Sequence, residues 1–334
     1  MLYPDDNLLL APLCGYTDLP FRRVCRQQGC RYAFTPLVDA GSLIYNHDVN
    51  DLLLRRGDDE PWLGVQVLGT CPEHIGKAVE LIAARHNHFD VIDLNLGCPV
   101  PKVVKKGAGA AMGRNLEVAV RSVEKMVAAS PVPVTAKTRI VNETDPEQTV
   151  KLALALEAAG IQALTLHGRI LEMKYAGPVF AEMIRAVRAA VRIPVIANGG
   201  VFNLQTADCL RQGTGCSHLM IARGAIGNPW IFRELQTAAP LPLPTHAEIC
   251  AVMEEQVLGM VGFYGEEAGL RNARKVVLAY LAGRGYASHF RAEASLICTV
   301  AEFREFMARV VATGQSPDYL ARPAGRASRI LELA

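Results

Sequence analysis

Along residues 8 to 224 the chain alternates two textures. Short apolar runs rich in β-branched residues, each ending in a polar residue or glycine, are followed by longer stretches whose apolar positions recur three and four apart. The runs predict eight strands: LLLAPL (8–13), YAFTPL (32–37), WLGVQVLG (62–69), VIDLNLG (91–97), VPVTAKTRI (132–140), ALTLHG (163–168), IPVIANGG (193–200) and HLMIARG (218–224). Between them, stretches such as CPEHIGKAVELIAARH, LEVAVRSVEKMVAAS, PEQTVKLALALEAAG, FAEMIRAVRAAV and NLQTADCLRQG carry helical spacing. Eight strands alternating with helices over roughly 230 residues have the size and order of a (β/α)8 TIM barrel, which places the chain in the α/β class. A doubly wound open sheet would need a glycine-rich phosphate loop directly after its first strand, where this chain reads PLCGYTD.

A break follows. QTAAPLPLPTHAE (236–248) is proline-rich, and from residue 245 the pattern is helical only, in HAEICAVMEEQVLGMVGFYG, GLRNARKVVLAYLAGRG and ASLICTVAEFREFMARVVATG. The expected organisation is a barrel over 1–240 followed by a small all-α domain over 245–334.

Composition narrows the chemistry by exclusion. Thirty-five basic and thirty-three acidic side chains leave a formal charge of +2, so an anionic partner must be met by a local patch. Nine cysteines, an odd number with no C-x-x-C pair, argue against a disulfide framework and a zinc ribbon, and no metal is expected. The N-terminus lacks a basic segment followed by a long apolar one, and no apolar run reaches about 18 residues, so a cytoplasmic protein with no membrane partner is expected.

In a barrel the C-terminal strand ends converge on one mouth. Here they carry Pro12, Leu13 and Cys14, Gln66, Asn95 and Cys98, Lys137 and Arg139, His167 and Arg169, Asn198, Gly199 and Gly200, and Ala222, Arg223 and Gly224. Amides, lysine, arginine and histidine fill the set and carboxylates are nearly absent, which suits an anionic, planar, polar ligand. Any one of these groups alone reads as a satisfied structural polar residue, and for a single His or Gln that reading usually prevails. Together, the glycines of ANGG and ARGAIGN with Arg223 suit a phosphate, Lys137 and His167 face its ring system, and Gln66 reads its edge. GAGAAMG (107–113) begins G-x-G but follows a proline-rich loop in place of a strand, which excludes a dinucleotide fingerprint and suggests a flexible lid. Lys102, Lys105 and Lys106 on that loop either attract a polyanion or are simply solvated. Cys98 is a nucleophile if a base stands nearby, a general acid if it stays protonated.

The set APLCGYTDLPFRR, VQVLG, DLNLGCPVPKVVKKGAGAAM, VTAKTRI, LTLHGR, VIANGG and MIARGAIGNPWIF resembles the tRNA-dihydrouridine synthase family, closest to its bacterial B-type members. The resemblance implies an FMN-dependent barrel with a helical tail that helps hold RNA, with the flavin recharged by NADPH (NAD(P)H in general), tRNA as substrate, and a monomeric state. It implies hydride transfer to C6 of a flipped-out uridine and protonation of C5 by Cys98. On the same basis Pro12, Leu13, Cys14, Gln66, Lys137, His167, Asn198, Gly199, Gly200, Ala222 and Arg223 match cofactor contacts. Asn95, Arg139 and Tyr175 match residues near the uracil or its phosphate, and Arg271, Arg274 and Lys275 match an RNA-facing helix. The chain departs from the family pattern at Leu13, Cys14 and Tyr16, at Thr35-Pro36 where a carboxylate is usual, at Ala222 where glycine is usual, and at Val276 and Ala279 in the tail. Rival expectations are a flavin-dependent dihydropyrimidine or dihydroorotate dehydrogenase acting on a free base, a synthase acting on rRNA, and an RNA-binding factor without catalysis.

Overall fold

All eight predicted strands form, each shorter than its apolar run. In the computed structural model, which describes residues 2–4, 7–45, 48–239 and 241–320, they are β1 (Leu8–Leu10), β2 (Tyr32–Phe34), β4 (Leu63–Leu68), β5 (Val91–Leu96), β6 (Val134–Arg139), β7 (Leu164–His167), β8 (Val195–Asn198) and β9 (Leu219–Ile221). A two-residue strand, β3 (Val38–Asp39), pairs with the end of β4. Every pairing is parallel, and the ring closes through β1 on β9 and β2 on β4. The barrel is the (β/α)8 barrel that the alternation predicts. Strands buried on both faces read as continuous apolar runs, because their outer side chains pack under helices while the inner ones fill the barrel.

The chain divides into two compact units that interleave in sequence. The first comprises residues 1–17, 31–200 and 207–222; the second comprises 18–30, 201–206 and everything from Arg223 onward. The second unit therefore draws on more of the chain than the tail from 245, and residues 321–334 of that expected domain lie outside the described residues.

Within the first unit the barrel floor is aromatic. Tyr3, Tyr32 and Trp62 meet at ring-centroid distances of 5.2 to 5.6 Å, and Phe34 lies 5.4 Å from Trp62. Leu9, Val91, Ala163, Ile196 and Met220 complete this buried cluster. Gly64 makes room for it, since a Cβ there would stand 2.5 Å from the Phe34 ring.

The second unit is helical. The helix His246–Tyr264 starts at a capping box, in which Thr245 accepts from the Glu248 amide while the Glu248 side chain accepts from Thr245 N. The same device, Thr299 with Glu302, starts Val300–Thr313. Glu266–Leu281 crosses His246–Tyr264 closely at Gly269, where a Cβ would meet the Met260 carbonyl at 2.7 Å. The helix Leu19–Gln27 belongs here too: Pro20 packs on Gly259 and Gln27 donates to Glu255 at 2.6 Å. Trp230, Tyr280, Phe290, Phe303 and Phe306 lie in its core.

Candidate active site

Period-two alternation decides which strand residues enter the barrel. Parallel pairing sets Gln66 beside Asp93, Asp93 beside Thr135, Asn95 beside Lys137, Arg139 beside His167, and His167 beside Asn198. Above the aromatic floor the interior is thus polar, and the polar residues rise toward the C-terminal end.

One hydrogen-bonded chain runs through this layer. Asp93, 2% exposed, accepts from Thr135 Oγ1 at 2.6 Å and from Gln66 Nε2 at 2.7 Å. Gln66 Oε1 accepts from Asn95 Nδ2 at 2.7 Å, and Asn95 Oδ1 accepts from the backbone N–H groups of Gly97 and Cys98 at 3.1 and 2.9 Å. Burial pushes the Asp93 carboxyl up to about 6, against the hydrogen bonds from Thr135 and Gln66 and the charge on Lys137. Lys137 donates to Asn198 Oδ1 at 2.8 Å, and Asn198 Nδ2 donates to the Met220 carbonyl at 2.8 Å. Burial, followed by the Arg139 charge, brings the Lys137 ammonium down to about 8, with Asp93 and Cys98 opposing.

Cys98 is half-buried just past β5. Burial raises its thiol above the ordinary value and Cys14 adds to this, against the Val100 N–H and the charges of Arg139 and Lys137. A thiol so placed remains protonated at neutral pH, which suits a proton donor better than a nucleophile.

Two loops over the mouth are tied down by arginines. Arg139, 5% exposed, donates from Nε to the Gly97 carbonyl at 2.6 Å and from Nη1 to the Lys174 carbonyl at 2.7 Å, with Tyr175 5.5 Å from its guanidinium carbon. Arg114 grips Glu172 through two bonds of 2.7 Å. Two of the three glycines of 107–113 make close approaches. Gly109, at φ +59°, lies so close that a Cβ would meet the Cys98 carbonyl at 2.8 Å, and one on Gly113 would meet the Leu96 carbonyl at 2.6 Å. They allow the segment to pack on the strand end that carries the cysteine. Lys102, Lys105 and Lys106, just before this segment, are exposed.

Most expected site residues of the first unit are gathered at this mouth. His167 is 6% exposed with its Nε2 3.4 Å from Arg169, and Gly199 and Gly200 take positive φ. A Cβ on Gly199 would stand 2.7 Å from the His167 ring. Pro12, Leu13 and Ala222 are partly buried, Cys14 is exposed, and Tyr175 is 47% exposed. Gln66 is fully enclosed, with its amide engaged on both sides. The second unit holds the others. Arg223 opens a 3-10 turn and stacks on Phe202 at 5.7 Å. On Glu266–Leu281, Arg271 pairs with Glu267 at 3.3 Å and Arg274 donates to the Ile297 carbonyl at 3.1 Å, while Lys275 is half-buried. Sequence reasoning missed Asp93, although its alternation with Ile92 and Leu94 marks it as inward, and it missed the Arg114–Glu172 pair, for which no local signal exists.

A family model described as dihydrouridine synthase (Dus) matches residues 9–314. The chain belongs to the dihydrouridine synthase family. Relatives carry it closer: the tRNA-dihydrouridine synthase B of Pseudomonas aeruginosa is 39% identical over 297 residues, covering 86% of this chain and 87% of the relative. That of Vibrio cholerae is 37% identical, covering 86% and 89%. Among solved structures, the old yellow enzyme homologue of Zymomonas mobilis aligns with a TM-score of 0.52 at 12% identity, over 73% of this chain and 92% of that one. Histamine dehydrogenase from Rhizobium sp. 4-9 aligns with a TM-score of 0.53 at 13% identity, over 81% of this chain and 49% of that one. Both likenesses concern the barrel fold alone. In this dihydrouridine synthase family member the mouth joins a protonated thiol, a cation and a set of N–H donors, a combination able to bind a planar anionic group and deliver a proton beside it.

Proposed function

We propose that this protein reduces the C5–C6 double bond of uridine in tRNA to dihydrouridine, with FMN as resident cofactor and NADPH as its reductant. Family membership and the names of the two relatives support the reading. The observation that carries it is Cys98, a half-buried thiol raised by burial and held by Asn95 at the rim of a cationic mouth.

The residues present fit a flavin. Lys137, His167 and Asn198 supply polar groups, and Gly199 and Gly200 take positive φ, with Gly199 so close to the His167 ring that a Cβ would stand 2.7 Å from it. Bound there, FMN would supply the hydride chemistry, with the nicotinamide as its source of electrons. Lys137 would hold positive charge beside the bound cofactor, and Asn198 fixes the direction of the ammonium. Cys98 keeps its proton until C5 becomes basic, then donates it from Sγ. Arg139 holds the Gly97 and Lys174 backbones at a fixed separation, so the base enters a slot whose walls are set beforehand. Arg223, next to Ala222 in sequence, is assigned to the cofactor phosphate, and Arg271, Arg274 and Lys275 to the RNA backbone. The protein is read as a monomer of the cytoplasm; among the described residues no helix is long and apolar enough to cross a membrane.

The test is total RNA from a strain lacking the gene, digested and mapped by mass spectrometry for dihydrouridine, with Cys98→Ala examined for rescue. Loss of dihydrouridine from tRNA that the wild-type gene restores and the Ala variant does not is expected. Loss from rRNA would redirect the substrate, and unchanged RNA with a yellow purified protein would favour a free-base dehydrogenase.

A further inference from the structure

We propose that Asp93 is a positioning residue for Cys98, acting through Gln66 and Asn95 to fix the turn on which the thiol sits. The inference rests on the reading of Cys98 as the proton donor, but its physical basis is independent of that reading. The chain of bonds from Asp93 to the Cys98 backbone has one possible polarity, because its two ends cannot exchange roles. Backbone N–H groups only donate, so Asn95 must present Oδ1 to Gly97 and Cys98. Its Nδ2 then points at Gln66 Oε1, which turns Gln66 Nε2 toward Asp93, and an ionised carboxylate only accepts. Without that terminal acceptor Gln66 Nε2 is left buried with nothing to donate to, and the facing of both amides rests only on the turn they are meant to hold. The reversed chain would aim the Asn95 NH2 at two N–H groups and release the 95–98 turn. Asp93 is buried on every side, so water does not readily replace it.

A role confined to folding would lower stability and leave the thiol where it is. The test therefore reads Cys98 directly. Full-length protein carrying its flavin is treated with iodoacetamide, and alkylation of Cys98 is measured by peptide mass spectrometry relative to Cys298, an exposed cysteine of the second unit. In Asp93→Leu the Cys98 to Cys298 ratio is expected to rise on the order of tenfold as the turn opens, given two lost bonds. The kcat for dihydrouridine formation is expected to fall by about tenfold or more with KM for RNA unchanged, since displacing a reacting group by about 1 Å costs at least that. Asp93→Asn, which can still offer Oδ1 to Gln66 while the Thr135 hydroxyl turns to accept, should recover both readouts to within about fivefold. Thr135→Val removes a donor to the same carboxylate without cutting the chain, and should leave the alkylation ratio near wild type.

A folded Asp93→Leu protein whose ratio and kcat match wild type overturns the proposal. Should that variant not fold, Gln66→Met cuts the chain one link closer to Cys98 and must give the same two changes. Failure of both to fold assigns the chain a folding role only and overturns the positioning role. If wild-type protein makes no dihydrouridine, the functional reading fails while the alkylation ratio still decides the part played by Asp93.

Discussion

Replacing Gly109 by alanine tests the claim that the 107–113 segment is built for contact. Gly109 sits at φ +59°, ψ −126°, a conformation that costs an L-residue about 1–3 kcal/mol. The new methyl would also stand 2.8 Å from the Cys98 carbonyl and 2.9 Å from Cys98 Cβ, backbone-anchored atoms that cannot swing away. Overpacking of this kind adds about 1–3 kcal/mol. The segment can escape by lifting off the cysteine, at the expense of the Ala110 N to Cys98 carbonyl bond of 3.1 Å, worth about 1 kcal/mol. The global loss should therefore be limited to roughly 2–3 kcal/mol, with the larger effect on catalysis. Gly107 provides the control: it too has positive φ, +84°, but a Cβ there meets nothing within 4 Å, so alanine should cost only about 1–2 kcal/mol. The assays are urea unfolding and single-turnover dihydrouridine formation at saturating tRNA. Gly109→Ala should slow the single turnover at least tenfold and Gly107→Ala less than about threefold, as expected for a small displacement of the reacting group in one and none in the other. Equal midpoints and equal rates for the two variants would refute the packing argument.

Lys137, with its ammonium brought down to about 8, loses its charge as pH rises through that value, so turnover should decline above about pH 8. Lys137→Arg, which stays charged, should abolish that limb even if its rate is low, and a limb that persists would assign the titration elsewhere. Burial raises the Cys98 thiol above its ordinary value, so its own ionisation should not cause that decline, while Cys98→Ala should lose product formation and keep its flavin absorbance. In the second unit, Arg284 is buried, donates to the Gly227 carbonyl and to the Tyr280 carbonyl at 2.9 Å, and stacks on Trp230 at 5.4 Å. Arg284→Ala should destabilise that unit by about 2–4 kcal/mol, read by urea unfolding followed through Trp230 fluorescence, because two carbonyls lose their donor and the indole its cation.

The eight strands were legible because each is an apolar run closed by a polar residue, and the barrel followed from their alternation with helices. Lys137, His167 and Asn198 were legible for a related reason: strand ends share one mouth, so position in the run is position in the site. Asp93 went unread because it lies two residues before Asn95 inside the run, where polar character is easily taken for an outward face; period two in fact turns it inward. The allegiance of Leu19–Gln27 to the helical unit had no local signal. Chain order puts it in the place of a barrel helix, and only contacts across more than two hundred residues, Gln27 to Glu255 among them, draw it elsewhere. GAGAAMG was read as a flexible lid without the close approach of Gly109 and Gly113, because glycine serves mobility and close approach equally well, and sequence does not show what stands opposite the missing side chain.

The aromatic floor has a kinetic corollary. Among the described residues, Tyr3, Tyr32, Trp62 and Phe34 pack together across the N-terminal end of the barrel, which leaves the C-terminal mouth as the opening to the polar layer. On the proposed reaction, the nicotinamide that delivers electrons and the nucleotide that receives them must use that opening in turn. Each then obstructs the other, so the enzyme would work as a turnstile: one visitor leaves before the next is admitted, and an excess of either slows both.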